Sequence, residues 1–320
     1  MEDLKCPYCN TDEYVRPWGF KNPITGESIR LRCQACNRTF VKYPINRKPY
    51  AKDMGTEKAS IGIIPEVKVT QTVSAGLRAV ALFDSHLLSN VRPHVSHELA
   101  MQYVIDTKPN LIIYGGDLLD FNCISFWNRN RPLLNENQRY HESIEKGRRE
   151  MGRLRKACPD AEMVFIEGNH EDRVARWVES IPALEGKVNF IKDMGFKDEG
   201  ITAIPFGGIY KRGHLSYLHG IYYNKYYART TLENLGESCV FGHAHKYQVW
   251  TQRLHFDKQP HIAVGLPCLT DLDPAWKRGT PTNFVNGFGI IEYKNDTDFN
   301  VYVPIIINGS FSYAGRTWST

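Results

Sequence analysis

LRAVALFDSH, residues 77–86, decides the fold: a short apolar run stops at Asp84 and His86. A run of this length and content reads as a strand buried in a sheet, with chemistry-bearing side chains at its end. The design recurs. NLIIYGG (110–116) runs into Asp117 and Asp120, and EMVFIEG (162–168) runs into Asn169 and His170. HLSYLHG (214–220) ends beside His219, and SCVFGHAH (238–245) carries His243 and His245. HIAVGL, FGIIEY and NVYVPIII add further strand-like pieces towards the C-terminus.

Between the first two runs, PHVSHELAMQYVIDTKP (93–109) has helical spacing. Residues 139–157, rich in Arg and Glu, and HEDRVARWVES (170–180) read as two more helices. Strands alternating with helices, followed by mostly strands, predict an α/β sandwich of two sheets with helices on its outer faces. No internal repeat or low-complexity tract interrupts the pattern.

The chain of 320 residues, 42% hydrophobic and 23% charged, has the composition of a folded protein, which excludes a disordered or fibrous chain. MEDLKCPYCN lacks the basic and apolar regions of an export signal, and no apolar stretch is long enough to span a bilayer. A cytoplasmic protein is expected. Of eight cysteines, four stand singly (Cys123, Cys158, Cys239, Cys268) and four form two CxxC pairs, Cys6/Cys9 and Cys33/Cys36. Two such turns close a thiolate tetrahedron around a structural zinc ion. Residues 1–43 are therefore expected to form a zinc-stabilised unit, 44–70 a linker, and 71–320 the main domain with an insertion at about 121–160. The N-terminal pattern resembles the zinc-ribbon family, which implies contact with nucleic acid or a protein partner. Lys5, Arg30, Arg32, Arg38 and Lys42, with Tyr8, Trp18 and Phe40, would supply a nucleic-acid contact, or the aromatics would form the ribbon's small core.

Taken singly, the Asp, Asn and His motifs are ordinary turn and cap residues. Jointly they gather carboxylate oxygen, amide oxygen and imidazole nitrogen at neighbouring strand ends, a donor set suited to manganese, iron or zinc. In order and content the five blocks resemble the calcineurin-like metallophosphoesterase superfamily over roughly residues 75–250. That resemblance implies a four-layer sandwich of two mixed β-sheets flanked by helices, and two divalent metal ions. Asp84, His86 and His245 would hold the first ion and Asn169, His219 and His243 the second, with Asp117 bridging. His170 would be the catalytic histidine, and Asp120 either orients its imidazole or serves a local turn. The implied reaction is hydrolysis of a phosphate ester by a hydroxide bridging the ions. One departure stands out: the family commonly has glycines around its first Asp and His, whereas Phe83 and Leu87 stand here and would narrow the approach to the first ion.

The net charge of +5 is unevenly spread, with nine Lys or Arg against five Asp or Glu in residues 1–50 and nine against four in 129–157. Two basic segments favour a phosphodiester in nucleic acid over a phosphoprotein, a nucleotide or another small ester. The segment from Phe126 to Arg155 would form one wall of a groove, and Tyr222, Tyr223, Tyr226 and Tyr227 would stack on bases or pack. Arg173, one turn past His170, would meet a phosphate or form an ion pair with Glu171 or a neighbour. Two other classes compete with this reading. A nucleic-acid-binding module with an inactive metal centre would have lost a ligand, and all are present; a thiol enzyme on Cys123 or Cys239 lacks a local partner pattern.

Overall fold

The computed structural model describes Cys9, residues 15–20, 29–36, 39–42, 66–67, 76–253, 257, 259–277 and 279–320. It divides into two compact units, Met1–Ile61 and Gly62–Thr320. In the first, β1 (Val15–Phe20), β2 (Ile29–Cys33) and β3 (Thr39–Lys42) form an antiparallel sheet in that order. Cys6, Lys5, Tyr8 and Arg38, and the side chains of Trp18, Arg30, Arg32, Phe40 and Lys42, lie outside the described residues.

The second unit begins with β4 (Glu66–Val67), β5 (Leu77–Leu82), α1 (Val95–Thr107) and β6 (Leu111–Tyr114). Then come α2 (Pro132–Asn135), α3 (Tyr140–Ala157), β7 (Glu162–Ile166), α4 (Asp172–Ser180), α5 (Phe190–Met194) and β8 (Ile201–Ile204). β9 (Ile209–Arg212), β10 (Leu215–Leu218), α6 (Tyr227–Leu235), β11 (Cys239–Phe241), β12 (Gln248–Gln252) and β13 (His261–Gly265) follow. β14 (Gly289–Tyr293) and β15 (Phe299–Tyr302) return to the first sheet, and β16 (Ser310–Tyr313) with β17 (Arg316–Ser319) forms a terminal hairpin.

Both large sheets are mixed. One runs β15-β14-β5-β6-β7-β8, parallel from β5 to β8 and antiparallel at β14 and β15; the other runs β12-β13-β11-β10-β9-β4. The strand period of two explains the layering. Ala79, Ala81, Leu111, Ile113, Val164 and Ile166 turn one way and pack with Tyr217, Val240 and Val264 of the facing sheet. Val80, Leu82, Ile112, Tyr114, Met163 and Phe165 turn the other way, onto Leu99, Tyr103, Ile144, Met151 and Leu154 of α1 and α3. α6 covers the second sheet, placing Tyr227, Ala228 and Leu232 on Cys239, Phe241 and Ala263. Strands buried on both faces need continuous apolar runs, which is what the sequence shows.

The second half of the basic segment differs from a groove wall. α3 buries Ile144, Met151 and Leu154 as the crossover from β6 to β7, and several of its arginines meet protein groups. Arg148 donates to the Asp193 carbonyl, Arg153 pairs with Glu98 and Glu150, and Arg155 donates to the carbonyls of Ala161 and Glu199.

Candidate metal centre

The loops after β5, β6, β7, β10 and β11 meet at one edge of the two sheets. There Asp84, His86, Asp117, His243 and His245 all have positive φ, between 45° and 67°. This left-handed region costs an L-residue on the order of 1 kcal/mol or more, and such strain collects at functional sites. Close packing of the loops demands glycine at Gly168, where an added Cβ would lie 2.1 Å from Asp117 Oδ1.

Asp117 is the centre of the arrangement. Its Oδ1 accepts the His170 amide at 2.9 Å. Its Oδ2 lies 3.4 Å from His219 Nε2, 3.6 Å from His86 Nε2 and 3.9 Å from His170 Nε2. On one side, Asp84, His86, Asp117 and His245 offer ligand atoms within 4.8 Å of one another; on the other, Asp117, His219 and His243 do the same. Asn169 joins the second set, its Oδ1 standing 3.0 Å from His219 Nε2 and 2.8 Å from His243 Nδ1. All seven residues that the sequence singled out around the two ions therefore converge.

Their chemistry fits cations. His219 Nδ1–H donates to the Gly115 carbonyl at 2.8 Å, so in the neutral ring Nε2 carries a lone pair and faces only oxygen acceptors. His86 Nδ1–H donates to Asp120 Oδ1 at 3.2 Å, and its Nε2 stands 3.0 Å from His245 Nε2. Asp84 Oδ1 is buried without a hydrogen-bond partner. Lone pairs aimed at one another repel, and a divalent ion between them removes the conflict. The charges report the same tension. Burial pushes the Asp84 carboxyl up to about 8, with His219 opposing and Asp117 adding. His219, which burial alone would lower, is raised to about 10 by the charge of Asp117. His243 falls to about 4 through burial and the neighbouring His219.

His170 stands beside the donor sets. Its Nδ1–H faces Asp120 Oδ1 at 2.9 Å and the Asp120 carbonyl at 3.0 Å, while Arg173 Nη2 donates to Nε2 at 2.9 Å. Burial lowers His170, but Asp117 and Asp120 outweigh it and raise the imidazole above its ordinary value, with Arg173 opposing. Burial likewise works to raise Asp120, yet the hydrogen bonds from His170 and His86 hold it far below the usual carboxylate range. Asp120 thus joins two imidazoles. Arg173 also donates to the Asp120 carbonyl at 2.7 Å, so its partners here are neighbouring groups of the site.

Two positioning groups were not read from the sequence. Glu171, 1% exposed, accepts the amides of Asp117 (2.8 Å), Gly168 (2.9 Å) and Leu119 (3.2 Å), and so ties the second and third loops together. Ser85, between two candidate ligands, bonds to Tyr114 and, at 2.9 Å, to His97 Nδ1 on α1; His97 Nε2 lies 3.5 Å from Glu150 on α3.

The donors floor an open cleft of about 690 Å³ whose sides carry Arg92, Lys246, Lys277 and Tyr223. Leu87 lines it, whereas Phe83 is fully buried between the two sheets. Of the tyrosine group, Tyr227 is packed and Tyr223 is 75% exposed. Burial pushes the Cys239 thiol well up, which leaves little thiolate there for a nucleophile. In the first unit, Cys9, Cys33 and Cys36 bring their sulfurs within 4.8 Å of one another, with 3.6 Å between Cys9 and Cys33. Tetrahedral zinc with bonds of about 2.3 Å spaces its sulfurs about 3.8 Å apart.

No family model matches the chain. It is similar to the Gene 54 protein of Mycobacterium phage D29, 24% identical over 256 residues, or 75% of this chain and 98% of that protein. The Gene 54 protein of Mycobacterium phage L5 is 23% identical over 254 residues, again 75% and 98%. Among solved structures, it is similar to a cold-active protein-tyrosine phosphatase of a psychrophilic Shewanella species, at 13% identity and a TM-score of 0.33, covering 90% of this chain and 99% of that one. A dimetal phosphatase from Danio rerio matches at 9% identity and a TM-score of 0.30, covering 72% and 99%. No helix among the described residues is long and apolar enough to cross a membrane.

Proposed function

We propose that the chain is a metal-dependent phosphoric ester hydrolase of the calcineurin-like metallophosphoesterase kind, acting on a phosphodiester in nucleic acid. The observation that carries this reading is the setting of Asp117, one oxygen held by a backbone amide and the other standing between two sets of outward lone pairs. Asp84, His86 and His245 would hold one divalent ion, manganese, iron or zinc, and Asn169, His219 and His243 the other, with Asp117 shared. Such a pair supplies positive charge for phosphate oxygens and a water acidic enough to attack near neutral pH.

The chain's own groups do the rest. His170, held at Nδ1 by Asp120, donates a proton from Nε2 to the departing oxygen. Arg173 now occupies that nitrogen, so the donation requires the guanidinium to leave it for a phosphate oxygen, an acceptor it binds well. Asp120 fixes the ring of His170 and that of His86 at once. Arg92, Lys246 and Lys277 on the cleft walls favour an anionic substrate with charge beyond the scissile group. The cysteine sulfurs of the first unit, together with Cys6, would hold one structural zinc.

The test is hydrolysis of bis-p-nitrophenyl phosphate by the manganese-loaded protein. Asp117→Asn should lose both turnover and ion content, whereas His170→Ala should lose about 10²–10⁴-fold in turnover and retain its ions. Retained turnover in both variants would overturn the assignment.

A further inference from the structure

We infer that the cleft takes single-stranded nucleic acid, and that aromatic side chains on both of its rims hold unpaired bases on either side of the scissile phosphate. The inference rests on the hydrolase reading for the identity of the scissile group and on separate observations for the strand. On one rim, the 3₁₀ turn Phe126–Asn128 sends Asn128 into the cleft lining and leaves Phe126 64% and Trp127 80% exposed. Large aromatics this bare, side by side with ring centroids 5.9 Å apart, contribute little to the core and mark an interaction surface. Arg129 lies over the Phe126 ring, its guanidinium carbon 4.1 Å from the centroid, so a cation and a π-face are presented together.

A second aromatic group at the cleft repeats this chemistry. Tyr223 lines the cleft, is 75% exposed, and stands 6.1 Å from the ring of His243, one of the candidate ligands. Beyond it Tyr226 is 56% exposed with Lys225 over its ring at 5.2 Å. Aromatic faces interleaved with cations bind single strands: every base has a face to stack, while the cations follow the backbone. A duplex keeps its base faces stacked on one another and offers these rings nothing but its phosphates. Charge complementarity selects the occupant, since Arg92, Lys246 and Lys277 line the same cleft.

Binding of a fluorescein-labelled oligothymidylate of 20 nucleotides to the full chain, followed by anisotropy without added divalent metal, tests this. Trp127→Ala and Tyr223→Ala should each weaken binding about 5–150-fold, and Trp127→Phe should restore most of it. The matching duplex should bind at least about 10-fold more weakly and respond to neither substitution. Equal binding of duplex and single strand, or unchanged binding in both alanine variants, would overturn the proposal. So would a phosphopeptide whose binding, in place of the oligonucleotide's, depends on Trp127. The two readings fail separately: strand binding through Trp127 with no phosphodiester hydrolysis contradicts the hydrolase, and hydrolysis of bis-p-nitrophenyl phosphate with no strand binding contradicts the stacking.

Discussion

Glu171 offers the most exacting test of how the loops are held. Its carboxylate takes three buried amides, those of Asp117 and Gly168 on Oε2 and that of Leu119 on Oε1. In Glu171→Ala three buried donors lose their acceptor. At about 1–3 kcal/mol for each, less what water entry and relaxation return, the loss should be about 3–5 kcal/mol. Glu171→Gln keeps its oxygen on the two shared amides and turns an NH₂ group towards Leu119 N–H. It also removes a carboxylate that burial and the neighbouring Asp117 hold above its usual range. These effects oppose, so the glutamine variant should lose only about 1 kcal/mol. Urea unfolding measures both values. Because the same amides set Asp117 and the Gly168–His170 turn, Glu171→Ala should also hold less divalent metal per chain, read by elemental analysis after dialysis. An alanine variant within about 1 kcal/mol of wild type and with full metal content would refute the clamp.

Gly168→Ala drives a methyl into Asp117, to 2.1 Å from Oδ1, and should cost about 1–3 kcal/mol in urea unfolding while lowering ion content. Cys33→Ser with Cys36→Ser should release one zinc per chain and leave hydrolysis of bis-p-nitrophenyl phosphate in place; loss of both together would make the first unit integral to catalysis. Glu150 would be raised by burial, but His97 and Arg153 bring it down to about 2 from an ordinary 4.5. A depressed acid stabilises above its unfolded value and loses that contribution as pH falls through the folded one. Glu150→Gln should therefore cost about 2 kcal/mol at pH 7 and almost nothing near pH 2, compared by unfolding at the two pH values. If the substrate is nucleic acid, its hydrolysis should fall steeply with added salt, and a flat response counts against it.

The strands that carry the candidate ligands were legible because each is buried on both faces and must be largely apolar before its polar end. β8, β9 and β12 were not, since Thr202, Lys211 and Arg212, and Gln248, Thr251 and Gln252 interrupt them with polar side chains and leave no apolar run to see. The candidate ligands could be read because Asp84, Asp117, Asn169, His219 and the His243/His245 pair each stand just after a strand. Glu171 follows His170 directly, yet two of the three amides it holds lie 52 and 54 residues away, which side-chain patterns do not encode. Its one local signal was a carboxylate at the start of a helix, where an ordinary cap is the plainer explanation. Ser85 and His97 likewise meet only through the packing of α1 on the first sheet. The arginines of α3 misled for the opposite reason: net charge along a segment does not say that Arg155 is engaged by five carbonyl groups.

The most direct measurement is the anomalous scattering of crystals grown with manganese and recorded at its absorption edge. The account predicts two peaks, one among Asp84, His86 and His245 and one among Asn169, His219 and His243, with Asp117 between them. A single peak, or manganese bound away from Asp117, would contradict it.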